Sequence, residues 1–218
     1  MIKILFLFIS VITVSYAQEI DPDLLEIRKR LEAIDEFTAD LQLDVDIDFI
    51  NMPTKYAQMS YQKGEDIKFT ATDFVLIPKR GLDLPLNEIF KYSFITVDRG
   101  LQQHNSVNYK MINVIPTDDR ADFSIATLLL DTVNKRIVET QINTKKDGAY
   151  SLKLNYEGEK NILPAAIEVD FEIDRMKIPL RYMGKAAEVD KEKYRSKEPK
   201  TGKIYLKISN YSVKKSAF

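Results

Sequence analysis

The residue types that carry covalent or metal chemistry are scarce in this sequence. It holds one histidine, His104, and no cysteine, which leaves no thiol nucleophile and no Cys-ligated metal. A Ser-His-Asp triad would have to use His104, and that residue stands in the polar turn Gln102-Gln103-His104-Asn105, the setting of a solvated side chain. Ser60-x-x-Lys63 with Lys200-Thr201-Gly202 supplies two of the three elements of one kind of serine acyl-enzyme site, but the Ser-Asp-Asn element is missing. Ala57, Met59 and Tyr61 alternate as in a strand, so Ser60 and Lys63 point to opposite faces instead of sharing a helical turn. Asp44, Asp46 and Asp48 open like a calcium loop, yet Phe49 stands where the loop needs Gly and Lys55 where it needs a bidentate Glu. No Gly-x-Gly-x-x-Gly, Walker loop, Gly-x-Ser-x-Gly or His-Glu-x-x-His occurs. No catalytic residue, metal site or cofactor is therefore assigned, and the chain reads as a non-enzyme.

What the sequence has in abundance is apolar and aromatic groups on alternating strand positions: Phe49, Met59, Tyr61, Phe69, Phe74, Tyr109, Met111, Phe123 and Phe171. Burying a methylene is worth ~0.8 kcal/mol, so such a face can hold an acyl chain or another greasy ligand if something leaves it partly open. Leu43, Val45 and Ile47 fall on the same side of their strand, with Asp44, Asp46 and Asp48 on the other. A closed barrel or sandwich would consume the same residues internally, and alternation alone does not separate the two.

The elements that must position these residues follow from period and punctuation. The chain has 218 residues, 44% apolar and 30% charged, with 32 basic against 33 acidic side chains; it is long enough to bury a core without staples. The near balance of charge gives no electrostatic reason to bind nucleic acid. Residues 1–17 read as a secretory signal: Lys3, an apolar run from Ile4 to Val14, then Ser15 and Ala17 at the small-residue positions before a cut ahead of Gln18. That run is too short for a bilayer span, and Gln18 is not the Cys that acylation requires. Residues 18–218 are expected to form a single periplasmic domain and a monomer.

Asp21 as cap, Pro22 at the first position and Leu24, Ile27, Leu31 and Ile34 at helical spacing predict a helix from Pro22 to Phe37. Strict alternation predicts a strand from Leu41 to Phe49, and shorter ones over 56–62, 67–77, 94–97, 107–114, 123–131, 136–143, 150–156, 167–173 and 203–213. Short turns between them imply an antiparallel meander. Leu84 to Tyr92 reads as a short helix or turn, and the charged segment Lys185 to Lys200 as a mobile loop.

The order of signal peptide, amphipathic helix and long alternating strand, followed by 57–69 (Ala-Gln-Met-Ser-Tyr-Gln-Lys-Gly-Glu-Asp-Ile-Lys-Phe), resembles the periplasmic lipoprotein-carrier (LolA-like) superfamily and its Bacteroidetes-type relatives. Further matches are Phe74 to Gly81, Ala126 to Asp131 with Asn134 and Ile137, and Gly202 to Tyr211. The resemblance implies a mainly β (α+β) fold: one large curved antiparallel sheet, an incomplete β-barrel, with an N-terminal helix and a short helical lid packed on the concave face. It also implies a carrier that holds the acyl chains of lipoproteins, or another lipid, in a hydrophobic cavity, with a role in outer-membrane lipoprotein sorting and with envelope proteins as possible partners. On this reading Leu43, Val45, Met59, Tyr61 and Phe69 line the cavity and Lys68 reaches an anionic head group. Lys68 stands where such carriers commonly have Arg, keeping the charge without the forked donor. The alternative is a cell-envelope interaction module that offers sheet face or edge to a protein.

Overall fold

The computed structural model describes residues 20–71, 89–104, 107–146, 148–158, 161–173, 188–196 and 198–216. The signal segment 1–17, residues 72–77 of one expected strand and residues 84–88 of the expected short helix lie outside them.

Helix α1 runs Pro22–Glu32, its first amides received by the Asp21 carboxylate, which accepts from the N–H groups of Asp23 (3.0 Å) and Leu24 (3.3 Å). The helix stops five residues earlier than its apolar spacing predicts. Ile34 sits three residues after Leu31 and so fits a helical stripe, but it lies in the next strand, where a pairing irregularity between Ile34 and Glu36 buries it although its parity is opposite to that of Phe37, Ala39, Leu41 and Leu43. That strand, β1, covers Ile34–Asp46, with only Ala33 between it and the helix. The expected continuation to Phe49 is replaced by a tight turn, in which the Ile50 amide donates to the Ile47 carbonyl at 2.8 Å.

The remaining strands are β2 (Ile50–Asn51), β3 (Lys55–Gln62), β4 (Lys68–Thr70), β5 (Phe94–His104), β6 (Val107–Pro116), β7 (Phe123–Asp131), β8 (Arg136–Thr144), β9 (Ala149–Asn155), β10 (Ala166–Ile173), β11 (Glu188–Val189) and β12 (Lys200–Lys215). Ten of them form one antiparallel sheet in the order β4-β3-β1-β12-β10-β9-β8-β7-β6-β5. β5 to β10 are consecutive neighbours, the expected meander. β12 then returns between β10 and β1 and joins the two ends of the chain. Among the described residues the sheet ends in β4 and β5 and is not closed into a barrel.

Three differences from the sequence reading have local causes. β5 continues past Val97 to His104 as an exposed hairpin with β6, in which Leu101 is 72% exposed; its polar residues have no core to face, so no alternation marks them. Residues 188–196 contain β11 and a short helix, α2 (Lys191–Arg195), where a mobile loop is expected. Val189 and Tyr194 pack on Ile47, Phe49 and Ile50, and the Asp190 amide donates to the Phe49 carbonyl at 3.0 Å. Val45 is only half-buried, because it stands between this small cluster and the main core. A Cβ on Gly202 would lie 2.6 Å from Ile47 and 2.9 Å from the Phe171 ring, so the small cluster closes only because β12 has no side chain there.

Candidate functional site

The face of the sheet that carries α1 is lined by apolar side chains from one edge region to the other. Cross-strand register places Val45, Ile204, Val169, Leu152, Thr140, Leu128 and Ile112 in one row over seven strands. A neighbouring row holds Leu43, Leu206, Ile167 and Leu154. Leu128, Ile112, Leu152 and Leu206 are all at most 2% exposed. Thr140 is the exception in kind. It is wholly buried in this row, and among the described residues its hydroxyl has no hydrogen-bond partner. The cost of such a group is that of removing it from water uncompensated.

Helix α1 lies against this face and contributes Leu24 and Ile27, its two buried residues. Leu31 is half-buried behind them, and the N-terminal half of the helix is held by ion pairs. Lys110 of β6 contacts Asp21 (2.6 Å) and Asp23 (3.0 Å), and Lys135 in the β7–β8 turn contacts Asp23 and Glu26, both at 2.9 Å. Arg30 donates to the carbonyls of Asn134 and Lys135, and the Asp21 amide donates to the Thr96 hydroxyl of β5 at 2.8 Å. The turn that presents Lys135 is built by Asp131, which accepts from the Asn134 amide (2.9 Å) and its side chain (2.8 Å) and from Arg136 (3.2 Å). Lys135 itself adopts the left-handed conformation, φ 50°.

These pairs set the charge states of the clasp. The bond from Lys135 holds the Asp23 carboxyl below its ordinary value, against burial, with Lys110 adding to the effect. Burial works against the Lys110 cation, but its bonds to Asp21 and Asp23 outweigh it and raise its pKa. Lys135 is raised chiefly by Asp23 and then by Glu26.

At the other end, α1 meets β1 through a pinned joint. The Ser216 amide donates to the Ala33 carbonyl at 3.0 Å, and its hydroxyl donates to the Asp35 carboxylate. Lys63 reaches the Glu32 carbonyl at 2.6 Å.

The structure brings five of the six residues expected to line a cavity onto the inner face. Leu43 is 2% and Met59 4% exposed, and Val45, Tyr61 and Phe69 are half-buried. Met59 stands between Ala39 and Phe69 in the register, and Tyr61 stacks on Phe37 with ring centroids 5.3 Å apart. Burial raises the Tyr61 hydroxyl pKa, with the Asp35 and Glu32 charges acting in the same direction. Lys68 is not with them. It opposes Ser60 on the outer face of β4 and is paired with Glu65.

Sequence reasoning missed the polar groups of the inner face. Lys55 opposes Leu43 and is 3% exposed. Its parity with Ala57 and Met59, and that of Lys110 with Ile112 and Val114, is the signal that could have found them. Thr140 carries no such signal, since β-branched residues belong in strands whichever way they face. Among the described residues no cluster of three or more His, Asp or Glu is placed to hold a metal, and no helix is long and apolar enough to cross a membrane.

No protein-family model and no curated protein sequence matches the chain. Solved structures with a similar arrangement include a LolA-superfamily protein from Nitrosomonas europaea, with 8% identity over 89% of this chain and 94% of that one, TM-score 0.49. An outer-membrane lipoprotein-sorting protein domain from Vibrio parahaemolyticus shares 9% identity over 89% and 93%, TM-score 0.47. A DUF1329-family protein from Desulfovibrio piger shares 7% identity over 90% and 93%, TM-score 0.49.

Proposed function

We propose that the chain is a non-enzymatic carrier or chaperone of the periplasm that takes the acyl chains of lipoproteins, or another lipid, between the inner face of the sheet and α1, and so serves outer-membrane lipoprotein sorting. The observation that carries this reading is the way α1 is attached. A helix that only completed a core would bury a broad stripe, whereas α1 fully buries only Leu24 and Ile27, with Leu31 half-buried behind them, and its N-terminal half is fastened by ion pairs above a continuous apolar face. Opening that clasp exposes a site whose lining suits a hydrocarbon tail. Leu43, Val45, Met59, Tyr61 and Phe69 form the part of the lining nearest β4. The strand and turn signatures shared with lipoprotein carriers point the same way.

Titration with a fluorescent fatty acid tests the proposal. Saturable uptake, displaced by unlabelled palmitate and abolished in Phe69→Glu with the circular dichroism spectrum preserved, is expected, because the tail would meet an unpaired carboxylate in an apolar site. No uptake under conditions where an authentic lipoprotein carrier binds the probe would overturn it. A second reading, an envelope interaction module, is favoured by the projecting β5–β6 hairpin, where Leu101 (72%) and Val107 (47%) are exposed; it takes over if the acyl probe fails.

A further inference from the structure

The outer face of the sheet holds a groove whose chemistry is the opposite of the inner face's. At β4-β3-β1-β12 a cavity of about 240 Å³ is lined by the side chains of Thr38, Asp40, Gln58, Ser60, Thr70 and Asn210, beside Ala39 and Met59. Its cause is an irregularity in pairing. β1 advances from Thr38 to Asp40 while β12 advances from Ser212 to Ser209, so β12 carries an extra residue there. The surplus is taken up by Asn210 in the left-handed conformation, φ 55°, a geometry that Asn tolerates better than most residues. The bulge turns the Asn210 amide onto the Asp40 carboxylate, to which it donates at 2.7 Å.

The lining therefore offers three hydroxyls, two carboxamides and one carboxylate. Each hydroxyl and amide both donates and accepts, as do the vicinal hydroxyls of a sugar. An aliphatic ligand would strand these polar groups. An anion would meet the Asp40 carboxylate, and Lys68, opposite Ser60 on this face, is paired with Glu65. Tyr56 lies two residues along β3 from Gln58 on the same face and is 66% exposed, an apolar ring plane beside the polar pocket.

We propose that this outer groove is a binding site for a neutral saccharide, seated on Gln58, Asp40 and Asn210 with a second sugar unit against Tyr56. Such a site on the face opposite α1 would let the protein hold a glycan of its surroundings while the inner face remains available.

The test uses amide chemical shifts of the full chain titrated with maltotriose, cellotriose and tri-N-acetylchitotriose, and separately with inorganic phosphate. At least one saccharide is expected to shift the amides of 38–40, 58–60, 70 and 210 saturably at millimolar concentration. Gln58→Ala and Asp40→Ala are each expected to weaken it at least tenfold, about 1.4 kcal/mol, and Tyr56→Ala to weaken trisaccharide more than monosaccharide. Ser60→Ala, which removes one hydroxyl without touching the Asp40–Asn210 contact, serves as the lining variant if Asp40→Ala melts early. No saccharide shift at these amides, a shift that survives the lining variants, or a response to phosphate alone would overturn the proposal.

Discussion

Three single groups make opposite demands on the fold. The Thr140 hydroxyl is buried without a partner, so Thr140→Val, which keeps the shape and removes the polar atom, is expected to raise the unfolding free energy by about 1 kcal/mol in denaturant titration. If an acyl ligand brings a carbonyl to that hydroxyl, the same variant binds the probe more weakly while being more stable, a combination that packing alone does not produce. Gly202 is under the reverse constraint. Gly202→Ala places a methyl against Ile47 and Phe171 and is expected to cost about 1–3 kcal/mol; Ile47→Ala in the same chain should recover part of it, and independent losses would show that the contact is not the cause. Asp23 joins Lys110 to Lys135, so Asp23→Asn is expected to cost about 1.5–3 kcal/mol, the range for hydrogen bonds to charged groups.

The clasp as an element also has a pH window. Asp23 has its pKa lowered on folding, so its contribution is present above the unfolded carboxyl value of about 4 and is lost as pH falls below that. Lys110 and Lys135 are raised, so theirs is complete below about 10 and is lost as pH rises through the folded values. The protection factors of the α1 amides, their exchange rates relative to an unstructured chain at the same pH, should therefore be level between these limits and fall outside them before those of the sheet amides do; simultaneous loss of both would mean that the clasp is no separate unit. Most elements were legible because alternation is a strong signal wherever one face is buried. β7 matches to the residue, and β3, β6, β8, β9 and β10 to within two. What was not legible lies where the period is ambiguous or has no core to report. Ile34 fits the helical stripe and is buried in the strand only through the pairing irregularity beside it, and Asp98–His104 pairs in solvent. In the candidate site, alternation found Leu43, Met59 and Tyr61, but the clasp joins residues some ninety to over a hundred positions apart, Asp21 to Lys110 and Asp23 to Lys135, and no local pattern encodes that.

For the molecule as a whole, the proposed uptake of a lipid would require α1 and the sheet to part, and the chain offers a clean way to forbid it. It contains no cysteine, and the Asp21 backbone lies 2.8 Å from the Thr96 hydroxyl. A disulfide between Asp21→Cys and Thr96→Cys should block binding of the fluorescent fatty acid when oxidised and restore it on reduction; equal uptake in both states would mean that the tail enters elsewhere. The direct join of α1 to β1 decides what such parting looks like. With no loop at Ala33, the helix cannot lift off as a body; it is a lever whose fulcrum is held by Ser216 and Lys63. A rotation of roughly 20° there carries Asp21 about 6 Å, given ~1.5 Å of rise per residue, enough to break its contacts with Lys110 and Thr96 while Arg30, close to the fulcrum, moves by only about 1.6 Å. A partner that pushes on the tip of α1 thus has the greatest mechanical advantage, and one that pushes near Glu32 has almost none.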